Sequence, residues 1–277
     1  MTEKKVKAFQ DYGREWLDTF VVAISVAMAF RCYFFEPFNI PTGSMQETLW
    51  GNHSAVCEEP GVWEKTPLKW VQWFFTGRDY KDLVASDSGR LEILPRKDGR
   101  CDVIVASRGK IVNRWKIPQD AIEPMLSSLS GAGRIDNSGN RYIEIKKGQR
   151  LWSGYDVTGD FIFVNNWWWN FFKPQVGDVM IFATTGIPCV QQGTHYIKRM
   201  KATPGDTYVL EHPISYDSHY PYSGKTEVTM GEDEFFACGD NFRNSLDSRY
   251  WGPVPGSKLR GVGSFVFWPF NGWRKIR

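Results

Sequence analysis

The sequence predicts a mainly β protein, antiparallel in its pairing, with one apolar helical segment near its N-terminus and an α+β insertion. Three observations carry this. In the second half of the chain, Gly-Asp turns open short runs of β-branched and aromatic residues, the pattern of strands entered from tight turns. The 26 Gly and 15 Pro among 277 residues favour turns over a helical bundle. The longest apolar run, Leu17 to Phe35, stands alone at the start. A hydrophobic fraction of 42% is enough for a packed core, and a net charge of +3 argues against a dedicated nucleic-acid binder. The 13 Trp point to carbohydrate binding, a membrane interface or a rigid β core.

Residues 1–15 are polar, with Lys4, Lys5, Lys7 and Arg14 set against Glu3, Asp11 and Glu15. Thr19 to Phe30 carries no charge. Extension to Phe35 reaches the ~20 residues that a helix needs to cross the hydrocarbon, provided Arg31 snorkels to the headgroups. Trp16, Tyr33, Phe34 and Phe35 would then mark the two interfaces. The expected organisation is a cytoplasmic tail (1–15), a single transmembrane anchor (16–36) and a domain on the outer face of the cell membrane (37–277), interrupted by an insertion at about 50–158. The excess of basic residues before the span sets that orientation. Two other readings stand beside it: a signal peptide cleaved after Ala27-Met28-Ala29, and a buried core helix.

Beyond the nucleophile-bearing stretch described below, Trp63, Trp70, Trp73 and Phe74 share a spacing that puts them on one face of a helix running from Val62 to Phe75. That helix would lie in a membrane interface or pack on the domain. Cys101 to Val105 and Tyr142 to Ile145 read as strands, Ala121 to Leu129 as a short helix and Gly131 to Gly139 as a polar loop. Gly159-Asp160, Gly177-Asp178 and Gly205-Asp206 precede strands at Phe161–Val164, Val179–Phe182 and Tyr208–Leu210, and Gly261 to Phe270 ends the chain in the same style. Of the five cysteines, Cys32 lies in the apolar segment. Cys57, Cys101, Cys189 and Cys238 allow three pairings, with buried free thiols as the simpler reading.

Three segments carry chemistry. In Glu36-Pro37-Phe38-Asn39-Ile40-Pro41-Thr42-Gly43-Ser44-Met45, two prolines stiffen the entry and Gly43 permits a close backbone approach just before a serine. A serine hydroxyl needs a base. His53 and His195 are available but lack a triad context. Lys198, in the apolar strand His195 to Met200, is another candidate, because desolvation lowers an amine's pKa. Cys238 to Gly252 is a dense polar loop in which Asp247 and Arg249 can pair and Ser245 can bond Lys198.

In order along the chain these segments resemble the type I signal peptidases, membrane-bound Ser–Lys proteases. Phe38 to Met45 with Thr48-Leu49 is similar to their nucleophile box, and Val176 to Phe182 to their Gly-Asp strand. Tyr196 to Arg199 with Pro204-Gly205-Asp206 is similar to their lysine box, and Gly239 to Arg249 to their last box. The resemblance implies Ser44 as nucleophile and Lys198 as general base, with the Ser44 N–H and the Thr42 hydroxyl binding the oxyanion. It implies Ser245 orienting the lysine, and Asp240, Asp247 and Arg249 as supports. Phe38, Ile40, Met45, Leu49, Tyr196 and Ile197 would line shallow pockets for small residues. It also implies cleavage after A-x-A-like sites of signal-peptide-bearing preproteins, contact with membrane lipid, and no metal, cofactor or nucleic acid. The alternatives are a non-catalytic membrane-tethered homologue and another Ser–Lys peptidase of the same broad fold. Glu47 stands where the family usually has Pro, and Phe242 where it often has Arg.

Overall fold

The computed structural model describes residues 3–57, 60–129, 133–135 and 141–276. The chain opens with helix α1 (Glu3–Tyr33) and passes through a single residue into strand β1 (Phe35–Asn39). The helix therefore ends earlier than the span expected from the sequence. Phe35 and Glu36 belong to the sheet, because Phe35 pairs with Asn165 and packs edge-on against Phe163. From Trp16 to Met28 every large apolar side chain of α1 is exposed, at 56–64%, so the buried-core reading of this segment does not hold. Among the described residues no helix is long and apolar enough to cross a membrane.

Between β1 and the rest of the main sheet the chain makes a long excursion. Strand β2 (His53–Ala55) leads to α2 (Leu68–Thr76), then to β3 (Arg78–Val84), β4 (Gly89–Pro95), β5 (Arg100–Ser107) and β6 (Lys110–Pro118). Helix α3 (Ile122–Ser128), β7 (Gly133–Ile135), β8 (Arg141–Ile145) and β9 (Arg150–Val157) complete it. The polar loop expected from 131 to 139 is in part a strand, β7, and otherwise lies outside the described residues. Two small antiparallel sheets result, ordered β2-β9-β3 and β6-β5-β4-β8-β7. They share a core of their own, in which Leu83, Val103, Val105, Ile117, Met125 and Leu151 are buried. Each such side chain contributes about 1.5–3 kcal/mol through burial. Asp156 is buried near this core, where it accepts from Arg100 at 2.9 Å and from Lys81 at 2.6 Å. A buried carboxylate is tolerated when two cations satisfy it.

Helix α2 starts later than its aromatic spacing suggests. Pro67 holds the N-cap position, so Trp63 precedes the helix and does not share its face. The helix stops at Gly77, whose positive φ of 68° and N–H bond to the Trp73 carbonyl make a left-handed cap.

The excursion ends where it began. Asp160 N–H donates to the Trp50 carbonyl and Ile40 N–H to the Asp160 carbonyl, both at 2.8 Å. The chain then builds β10 (Phe161–Asn165), β11 (Val179–Ala183), β12 (His195–Ala202), the small hairpin β13 (Thr207–Val209) with β14 (Glu227–Thr229), and β15 (Glu234–Cys238). A one-turn helix α4 (Ser248–Trp251), β16 (Val254–Pro255), the long β17 (Leu259–Trp268) and β18 (Arg274–Lys275) follow. The main sheet is antiparallel, ordered β1-β10-β17-β11-β12-β15-β16, with β18 on β17. Its period of two sorts β11: Val179 and Ile181 enter one core with Ile40, Met45 and Leu49, while Met180 and Phe182 enter another with Trp251 and Val254. Both faces of β11 are covered, which is why it reads as an unbroken apolar run.

Candidate active site

Ser44 sits in a single 3-10 turn, Gly43–Met45, reached from β1 through Ile40-Pro41-Thr42. The turn is anchored from below: Met45 and Leu49 are buried in the core, and Leu49 N–H donates to the Met45 carbonyl at 2.9 Å. It is gripped from the other side by Asn241, whose backbone N–H donates to the Ser44 carbonyl and whose side chain donates to the Gly43 carbonyl, both at 3.1 Å. Gly239 makes this approach possible, since a Cβ there would stand 2.4 Å from the Ser44 carbonyl oxygen.

Lys198 lies on the interior strand β12, opposite Met180 of β11. It is 4% exposed. Its Nζ donates to the Ser44 Oγ at 2.6 Å. Burial pushes the Lys198 amine down to about 8 from 10.5, partly offset by the nearby Asp247 carboxylate. The structure therefore brings together the two side chains that the resemblance paired. Neither histidine competes: the His53 Nδ1 lies 2.8 Å from the Gly51 carbonyl, and His195 packs edge-on against Phe38.

The polar loop braces the pair. Asp247 is fully buried, and its carboxylate accepts from Arg249 Nε at 2.7 Å and from Gly239 N–H at 3.0 Å. Arg249 continues to the carbonyls of Phe242 and His212. Asp240 takes two bonds from Arg199, at 2.7 and 2.8 Å, and Arg199 also donates to Thr48 Oγ1 at 3.0 Å. The last turn of the nucleophile segment is thus tied to the loop through an ion pair.

Some expected placements differ. Ser245 is buried, but its hydroxyl has no hydrogen-bond partner and lies against Gly239, so the expected bond to Lys198 is not formed. Ile40, Met45 and Leu49 are at most 3% exposed and serve the core, whereas Phe38 and Ile197 pack at its edge. Tyr196 faces away from Ile197 but shares the face of Lys198, whose Nζ lies 5.9 Å from its ring centroid, and it packs there with Phe182 and Trp251. Thr42 is exposed at the start of the turn. Cys57, Cys101, Cys189 and Cys238 are free thiols, and only Cys101 and Cys238 are buried. Among the described residues no group of three or more His, Cys, Asp or Glu is arranged to hold a metal. Residues that the sequence reading did not single out are Asn241 and Arg199 as ties, and Asp160, which accepts from Trp50 N–H and from Arg274. The Gly-Asp and Gly-Asp-Asn strings were the available signals.

An antiparallel β scaffold thus holds a serine hydroxyl against a buried lysine amine, and a lysine so placed is chemically able to take the serine's proton when neutral. Residues 13–107 and 156–268 match the pattern of one family, described as signal peptidase, peptidase S26. The chain belongs to that family. It is 30% identical over 131 residues to the probable signal peptidase I-1 of Synechocystis sp., covering 43% of this chain and 67% of that one. It is 30% identical over 120 residues to the mitochondrial inner membrane protease subunit 1 of Mus musculus, covering 43% and 66%. It is 31% identical over 107 residues to the signal peptidase I of Bacillus amyloliquefaciens, covering 31% and 58%. The aligned regions thus span between about half and two thirds of these relatives. The family match lapses from 108 to 155, inside the excursion.

Proposed function

We propose that this peptidase is a signal peptidase I, an endopeptidase that removes N-terminal signal peptides from exported preproteins after A-x-A-like sites, with Ser44 as nucleophile and Lys198 as general base. The observation that carries this reading is the 2.6 Å contact between Lys198 Nζ and Ser44 Oγ, made by an amine whose burial holds it near 8. A protonated lysine donates in that contact. Once the proton is lost, the bond reverses and the Ser44 hydroxyl donates to the amine.

The reaction follows from that reversal. Ser44 Oγ attacks the scissile carbonyl carbon as its proton passes to Lys198. The oxyanion is met by the Ser44 N–H and the Thr42 hydroxyl, donors of a kind worth ~3 kcal/mol each. Collapse breaks the C–N bond, and the leaving amine takes the proton from Lys198. Water then gives a proton to Lys198 and its oxygen to the acyl carbon, and Ser44 recovers the proton as the ester bond breaks. Asp240, Asp247 and Arg249 act as positioning residues. Phe38 and Ile197 offer surface for small apolar side chains, with Ile40, Met45 and Leu49 as the packed floor beneath.

The setting we propose is a cell membrane, with α1 as anchor and the segment 37–277 outside, interrupted by the insertion at about 50–158. Support comes from the large apolar side chains of α1 from Trp16 to Met28, all of them exposed. A second apolar surface lies on the folded part. Helix α2 docks on the end of β17 through a bond from Trp268 Nε1 to the Phe74 carbonyl at 2.7 Å. Trp70, Phe75, Phe270 and Trp273 are exposed around it, a composition suited to the headgroup layer. The test of the reaction is cleavage of a fluorogenic signal-sequence peptide by the full-length protein in detergent. Ser44→Ala and Lys198→Ala should each remove turnover while the fold persists, and substantial activity in either variant would overturn the assignment.

A further inference from the structure

A cleft of about 300 Å³ opens beside the Ser44 turn. One wall is the turn itself with its brace, presenting Thr42, Gly43, Gln46 and Asn244. The other comes from the excursion, presenting Gln119 and Asp120. The two walls are fastened to each other. Asn52 N–H donates to the Pro41 carbonyl at 3.2 Å and its side chain to the Asp98 carbonyl at 2.6 Å, while Gln119 N–H donates to the Gly99 carbonyl at 3.0 Å. Gly99 has a φ of 71°, and a Cβ there would stand 2.3 Å from the Pro41 carbonyl oxygen, so the β4–β5 turn abuts the segment that delivers Ser44. Asp120 is itself held: both carboxylate oxygens accept from Ser54 N–H, at 3.0 and 2.9 Å. Among the described residues no lysine or arginine lines the cleft, and His53 is the one basic side chain that shares it with Asp120.

Position decides which part of a substrate would enter. Phe38 of β1 and Ile197 of β12 pack against the edge of one core, and on the peptidase reading above an extended chain that adds beside them presents its acyl half to Ser44. Gly43, Gln46 and Asn244 border a different hollow, on the insertion's side of the turn. A chain that crosses Ser44 and continues enters it. The volume is at the small end of ligand clefts and suits one or two side chains.

Resting on the peptidase reading above, we infer that the inserted β unit forms the subsite for the residues just after the scissile bond, and that Asp120 there selects a basic side chain. The acyl half is then read by the main sheet and the leaving half by the insertion. Two peptides test this, identical up to the cleaved bond and carrying Lys or Glu at the second position after it. The full-length protein should cleave the Lys peptide about fivefold faster in kcat/KM, the scale of a partly screened ion pair. In Asp120→Asn, which keeps an acceptor for the Ser54 N–H, the ratio should fall to near one. Equal rates in the parent protein, or an unchanged ratio in the variant, would overturn the assignment. Binding to the Ser44→Ala protein, read by fluorescence anisotropy, separates the two claims. A Lys preference that Asp120→Asn removes, with no cleavage by the parent protein, would sustain the cleft and remove the peptidase reading. Charge-blind binding alongside normal cleavage would do the reverse.

Discussion

Lys198 Nζ and Ser44 Oγ meet at 2.6 Å although 154 residues separate them, and the lysine does so from a position 4% exposed. This has a cost in stability. Burial lowers the amine from 10.5 to about 8, so the folded state binds fewer protons than the unfolded state between those values. The penalty, on the order of 3 kcal/mol at 1.36 kcal/mol per unit, applies in full below about 8 and fades toward 10.5. Lys198→Met should therefore be inactive and yet more stable than the parent at pH 6–7, with the difference in melting temperature shrinking as the pH approaches 10. A variant that melts lower than the parent at pH 6 would contradict a desolvated lysine.

The same shift sets the pH dependence of turnover. The reactive form is the neutral amine, so kcat/KM for a peptide without titrating groups should rise through a midpoint of about 8 and level off above it. A profile that is flat from pH 6 to 9, or that peaks near pH 5, would exclude Lys198 as the base.

Asp247 and Arg249 form a buried pair that also fixes the Gly239 N–H. Asp247→Asn leaves the guanidinium without its counter-charge, a change that costs about 3–5 kcal/mol. At ~2–4 °C per kcal/mol for a chain of this size, calorimetry should show a melting temperature lower by roughly 10 °C. Arg249→Lys should be nearly as damaging, because an ammonium cannot replace a fork that reaches several carbonyls at once. A shift under 2 °C in both variants would remove this loop from the stabilising core.

Gly239→Ala probes the grip on the nucleophile turn. The added methyl would stand 2.2 Å from Ser245 Oγ and 2.4 Å from the Ser44 carbonyl oxygen, so the turn must move. A displacement of about 1 Å at a reacting centre costs on the order of 100-fold. The fall should appear in kcat, and an acyl-forming probe of Ser44 should react more slowly by a similar factor. Unchanged labelling would show that the loop does not position the serine.

The aromatic surface separates into packed and exposed members. Trp73 rests on Trp268 at 5.6 Å and is still 40% exposed, whereas Trp63 and Trp70 are more exposed, at 56% and 63%. Replacing Trp63 and Trp70 together with Ser should leave the melting temperature within about 2 °C, as surface changes do. Binding of residues 37–277 to lipid vesicles, measured by co-sedimentation, should weaken if this surface docks on the bilayer. A large fall in melting temperature with vesicle binding intact would assign these rings to the core instead.

Local patterns made much of this molecule legible. The Gly-Asp turns marked β10, β11 and β13, because turn chemistry and β-branched side chains act within a few residues of one another. The resemblance of the segments around Gly43-Ser44 and Lys198 to the signal-peptidase boxes implied a pair of residues that the fold does bring together. The start of α2 was misplaced, since the apolar period continues through Val62 and Trp63 while the backbone at Pro67 does not allow the helix to extend to them. Three further matters were settled only in three dimensions. Met45 and Leu49 look like pocket residues beside a nucleophile, yet both side chains are buried in the core on which the Ser44 turn rests. Ser245 has a hydroxyl suited to bond a lysine, but the close contact of Gly239 with the Ser44 turn leaves it facing elsewhere. The cleft between Asn244 and Asp120 joins residues 124 positions apart in number and belongs to no motif, because it exists only where the inserted sheets close against the turn. Sequence determines what depends on neighbours along the chain, and packing between distant strands decides which side of each residue is left for chemistry.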